Sequence, residues 1–146
     1  MNKQYVWTII RLIIIGLFAW GGFNEGASDD LRAITSTNWM FIIGIVVMPI
    51  VFFSSIVVWA ARKDIKKYGV NGKLEAPTWT SNLFKKGQAI HFTHLVGYTF
   101  LIHGFMTLVP KLIVSDRGLF ILSSGMGLLL GVAIAKKLFC IKKIEV

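Results

Sequence analysis

The sequence predicts an all-α, polytopic membrane protein with four transmembrane helices and both termini in the cytoplasm. Three observations carry this prediction. First, the chain of 146 residues is 55% hydrophobic and only 16% charged, with a mean hydropathy of +0.67. A soluble domain of this size has too little interior to hide so much apolar surface. Second, the apolar residues gather into stretches that match a bilayer core of about 30 Å, which takes roughly 20 helical residues to cross. Third, the basic residues that give a net charge of +9 cluster in alternate connecting segments.

The four spans follow in order. Residues 5–23 form the first, interrupted by Arg11. Residues 39–61 form the second, 88–110 the third, and 119–135 the fourth and shortest. Backbone N–H and C=O groups inside lipid must pair within their own segment, so each span is expected to be a helix. The exit of the first span reads WGGFNEGASDD. It has no clean small-x-small site, so the span is taken as an uncleaved anchor and not a signal peptide. No internal repeat is visible, and 1–146 is treated as one transmembrane domain.

The connecting segments set the expected direction. Segment 24–38 holds Glu25, Asp29 and Asp30 against Arg32 alone. Segment 62–87 holds Arg62, Lys63, Lys66, Lys67, Lys73, Lys85 and Lys86, and the tail holds Lys136, Lys137, Lys142 and Lys143. Of the 16 basic residues, only Arg32, Lys111 and Arg117 fall on the other side. The positive-inside rule then puts both ends and the loop 62–87 in the cytoplasm. Trp39 and Trp59, near opposite ends of the second span, are placed at the two interfaces. A multi-pass protein of the bacterial inner membrane is the expected setting, with lipid headgroups rather than nucleic acid as partner of the basic loop.

Helices in lipid associate through small residues and polar links, because no hydrophobic force draws them together. Ser123, Gly127, Gly131 and Ala135 recur every four residues and form one smooth stripe. Gly97 and Gly104, seven apart in the third span, are expected to face a neighbour. Pro49 removes an amide hydrogen from the second span and is expected to kink it.

Polar residues inside a span are candidates for function. All three histidines fall in the third span. His91 and His94 lie about 60° apart on a helix, while His103 lies about 180° around from His94 and roughly 13 Å further along. The pair His91/His94 could supply two metal or haem ligands, but zinc takes three or four, and no other span offers a histidine. The plainer expectation is that His91 and His94 bond to a neighbouring helix or to headgroups, and that His103 bonds to Thr99 or Thr107. Arg11 is expected to snorkel toward headgroups with its charge over the Trp7 ring. No metal or cofactor is assigned.

Several enzyme and transporter classes lack a required group. No Asp or Glu lies in the spans as drawn, which removes the mid-membrane carboxylate of a proton-coupled exporter. Cys140 is the single cysteine, so no dithiol can form within the chain. In the loop, Trp79, Leu83 and Phe84 beside Lys85 and Lys86 have the spacing of a short interfacial helix. The expected function is a small non-enzymatic membrane protein that acts through helix contact with a partner membrane protein, as an accessory subunit or an immunity-type protein does, or through a homo-oligomer. The alternatives are a His-based haem, metal or quinone electron-transfer protein, and a small channel or carrier.

Overall fold

The computed structural model describes residues 2–28, 33–34, 39–68, 74–84 and 89–141. Asp29, Asp30, Arg32, Lys73, Lys85, Lys86, Gln88, Lys142 and Lys143 lie outside the described residues. So does the proposed interfacial role of Lys85 and Lys86.

The chain forms four helices: α1 (Lys3–Gly26), α2 (Trp39–Tyr68), α3 (Ala89–Met106) and α4 (Asp116–Phe139). Among them α1, α2 and α4 are long and apolar enough to cross a membrane by length and composition. The ends differ from the apolar boundaries because caps, not hydropathy, start and stop a helix. Asn2 accepts a hydrogen bond from the Gln4 N–H at the start of α1. Ser115 accepts one from Gly118 at the start of α4, a turn before the apolar run begins. α3 stops at Met106, short of the expected residue 110. Pro110 denies the α conformation to Val109, and the Thr107 hydroxyl turns back to the Gly104 carbonyl at 2.7 Å. α2 is continuous through Pro49, which is buried. Because α1 runs on to Gly26, Glu25 sits in its last turn and not in a link.

The helices form a row in the order α1–α3–α4–α2 and not a closed ring. α4 packs along both α2 and α3, and α3 also packs along α1; α2 meets α3 lightly, and α1 and α2 make no substantial contact. Backbone pairing at the two ends shows how the helices run relative to one another. β1 (Leu74–Glu75) pairs in parallel with β2 (Cys140–Ile141), tying the chain just beyond α2 to the chain just beyond α4. At the opposite end Ala33 bridges Ser115, and the Ile34 N–H donates to the Val114 carbonyl at 2.8 Å. The amino ends of α1 and α3 therefore share one end of the row with the carboxyl ends of α2 and α4.

Every interface in the row has a glycine at its closest approach. A Cβ on Gly127 would lie 2.8 Å from the Ile50 Cα, and one on Gly131 2.7 Å from the Val57 Cβ. A Cβ on Gly97 would meet Leu129 at 2.8 Å, and one on Gly104 the Leu122 backbone at 2.6 Å. The stripe on α4 is thus used inside the chain, where Ser123 and Ala135 are also buried. On α1, Gly22 and Gly26 press on the backbone of His103 and Thr107 with no room for a side chain. Contacts this close maximise dispersion attraction, which replaces hydrophobic burial in lipid. The buried apolar cluster of Val57, Ala61, Leu74, Ile90, Val132 and Ala135 lies toward the end closed by β1 and β2.

Candidate functional site

Two polar clasps join α1 to α3, one at each end of their interface. The first is built around Arg11, which is only 1% exposed. One guanidinium nitrogen donates to the Trp79 carbonyl and the other to Ser81 Oγ at 3.1 Å. Thr8 Oγ1 donates to the same Trp79 carbonyl at 3.2 Å. Ser81 Oγ also meets His91 Nδ1 at 3.0 Å, the Thr78 N–H at 3.2 Å and the Thr78 carbonyl at 2.8 Å. Arg11 and the Thr78 amide can only donate, so they occupy both lone pairs of the oxygen. Its single proton then serves either the Thr78 carbonyl or His91.

These contacts correct two expectations. Arg11 does not snorkel: segment 78–81 brings a carbonyl and a hydroxyl to the guanidinium, which satisfies the charge in place. No carboxylate contacts Arg11 among the described residues, and its Nε is buried without a hydrogen-bond partner. Trp7 does not cover Arg11; its ring packs edge-on to Phe84 at 5.9 Å between centroids. Nor is there an interfacial helix at 79–84. The Ser81 N–H and hydroxyl both close onto the Thr78 carbonyl, and the Phe84 N–H donates to Asn82 Oδ1 at 2.8 Å. Side-chain bonds of this kind compete with helical ones and hold a turn. As a result Leu83 points inward at 4% exposure and Phe84 outward at 72%, so the two do not share a face.

His94 stands one turn from His91 but apart from the clasp. Its ring packs edge-on against Tyr98, with centroids 4.9 Å apart, and against Trp79 at 5.9 Å. Its Nδ1 is buried without a hydrogen-bond partner. His91 and His94 thus face different neighbours, and no group of three or more His, Cys, Asp or Glu able to hold a metal occurs among the described residues.

The second clasp lies at the other end. His103 Nδ1 meets the Phe18 carbonyl at 3.1 Å, and Nε2 meets Glu25 Oε2 at 2.9 Å. A carbonyl only accepts, so Nδ1 carries a hydrogen. Arg117, largely exposed at the start of α4, donates from Nη1 to Glu25 Oε1 at 3.3 Å. His103 was expected to bond Thr99 or Thr107. Instead Thr99 bonds the Val96 carbonyl and Thr107 the Gly104 carbonyl within α3. Those hydroxyls are spent on the helix's own backbone, leaving the imidazole to reach α1.

Ser81, Gly22 and Gly26, and Glu25 beyond its charge, gain their roles only in the structure. The four-residue spacing of Gly22 and Gly26 was a usable signal, of the same kind as the stripe on α4. Ser81 had none, since its role depends on a turn that brings distant segments together. Paired with Leu74 of β1, Cys140 has a half-buried thiol; burial pushes its pKa up, and Lys136 pulls it partly back. Comparison with protein-family models, curated proteins and solved structures finds no match for this chain.

Proposed function

We propose that the protein is a non-enzymatic, four-span protein of a bacterial inner membrane, with its basic end in the cytoplasm, that works by helix contact with a partner membrane protein. An accessory subunit or an immunity-type protein fits this description. One observation carries the reading. The glycines of α3 and α4 are taken up by packing within the chain, whereas a Cβ on Gly16 of α1 or Gly44 of α2 would meet no other segment within 4 Å among the described residues. Both sit on the outer helices of the row, among exposed side chains such as Leu12, Leu17, Met40 and Met48. Glycine in a helix interior costs about 1 kcal/mol relative to alanine, and a close-packed partner helix would offset it. Methionine adapts to irregular partners.

The test is photo-crosslinking in native membranes from single positions 13, 17, 43 and 47, repeated with Gly16→Leu and Gly44→Leu. A discrete protein adduct that the leucine variant removes supports the reading. Crosslinking to lipid alone from every position defeats it.

A second reading retains one atom in its favour. The buried, unpartnered Nδ1 of His94 supports a histidine-based haem or metal function, with His91 as its neighbour on α3. A visible spectrum and metal analysis of protein purified without chelator decide it, since a colourless and metal-free active preparation removes it.

A further inference from the structure

A groove of about 350 Å³ lies between α2 and α4, lined by Ser54, Ser55, Val58, Trp59, Arg62 and Ile134. We propose that it binds one phospholipid of net negative charge, with the phosphate on Arg62 and an acyl chain along Val58 and Ile134. The proposal rests on the reading that α2 crosses a bilayer.

The groove residues of α2 run along one helix face, and Ile134 of α4 closes the opposite wall. Ser55 and Arg62 are seven residues apart, about 10 Å along the axis. From Trp39 to Arg62 the helix rises roughly 35 Å, slightly more than a hydrocarbon core. Arg62 therefore falls at headgroup depth and Ser55, about 10 Å deeper, beside the upper acyl chains. Trp59 stands between them, exposed, with Lys63 Nζ 5.2 Å from its ring centroid.

Both polar groups are available. The Arg62 guanidinium and the Ser55 hydroxyl make no hydrogen bond or ion pair among the described residues. By contrast, the neighbouring Ser54 hydroxyl is committed to the Val51 carbonyl at 3.1 Å. A guanidinium matches a phosphate with two parallel donors. Val58 and Ile134 can flank an acyl chain. Charge selects the headgroup. Lys63, Lys66 and Lys67 follow Arg62 on α2, and the nearby acid, Asp64, accepts from the Ala89 N–H at 3.3 Å. An ammonium-bearing headgroup would meet like charge there, while an anionic one would not.

The experiment places the full chain, labelled with 5-fluorotryptophan, in nanodiscs where phosphatidylglycerol progressively replaces phosphatidylcholine. The Trp59 fluorine signal is assigned by its loss in Trp59→Phe. It should move along a saturable curve, with half-saturation at a small mole fraction of the anionic lipid. Trp39, at the other end of α2, should show no saturable movement. Arg62→Gln should raise the half-saturation point about tenfold, the effect of losing charge-assisted hydrogen bonds. Ser55→Ala, at acyl-chain depth, should leave it unchanged. Both side chains are exposed, so neither change threatens folding. The proposal is overturned if Trp59 moves no differently from Trp39, if Arg62→Gln leaves the curve unchanged, or if no lipid reaches Trp59 because protein covers the groove. Failure of the chain to enter nanodiscs would instead defeat the membrane reading beneath it.

Discussion

The two ends of the α1–α3 interface solve the same problem with opposite chemistry. At the Glu25 end, a histidine, a carboxylate and an arginine balance one another, and Arg117 remains largely in solvent. At the Arg11 end, a fully buried cation is held by a carbonyl and a hydroxyl with no carboxylate in contact among the described residues. An exposed ion pair is worth little, whereas removing a buried charge leaves its acceptors unpaired. The Arg11 end should therefore hold the fold, and the Glu25 end should trim it.

The largest expected effect comes from breaking the Arg11 clasp. Arg11→Met removes two charge-assisted hydrogen bonds and should cost about 3 kcal/mol. Reversible unfolding in mixed SDS micelles measures the cost. Trypsin should also cut the variant between α2 and α3 faster than it cuts the wild-type chain. An unchanged digestion rate would mean that segment 78–81 is held by something else. Next is Gly26→Leu, which forces a side chain into the Thr107 backbone. Overpacking of this kind costs about 2 kcal/mol, and it should loosen the far end while leaving trypsin access between α2 and α3 unchanged. Glu25→Gln should cost about 1 kcal/mol, because a neutral amide still bonds His103 but less strongly. If Glu25→Gln matches Arg11→Met in the same assay, the contrast between the ends is wrong.

The smallest effect is kinetic. The pKa of the Cys140 thiol is raised by burial, so little thiolate is present near neutral pH, and maleimide should react more slowly than with an exposed thiol. Leu74→Ala weakens the strand pairing beside Cys140 and should speed that reaction, with unfolding stability as a separate readout.

Much of the helix content was legible because lipid imposes it: apolar length marks a span, and glycine spacing marks an interface. The limits were less visible. Hydropathy stops at Phe23, but α1 continues through Asn24 and Glu25 because helical bonding does not end where apolarity does. The loop was misjudged for a different reason. Trp79, Leu83 and Phe84 have helical spacing, yet the side chains of Ser81 and Asn82 capture the backbone first. Helical spacing pairs His91 with His94 and sets His103 apart, but it does not show what each one meets. In the structure each answers to another segment: His91 to Ser81, His94 to Trp79, and His103 to Glu25. Partners on distant stretches leave no periodic trace in the sequence.

The order α1–α3–α4–α2 carries a consequence for biosynthesis. The two helices made first are the two that end up at opposite margins, so as they emerge from the ribosome neither has its final neighbour. They must wait, each shielded by lipid or an insertion chaperone, until the second half of the polypeptide arrives between them. A nascent chain halted before α3 should therefore remain bound to the insertion machinery, and release should come only once α4 has been completed.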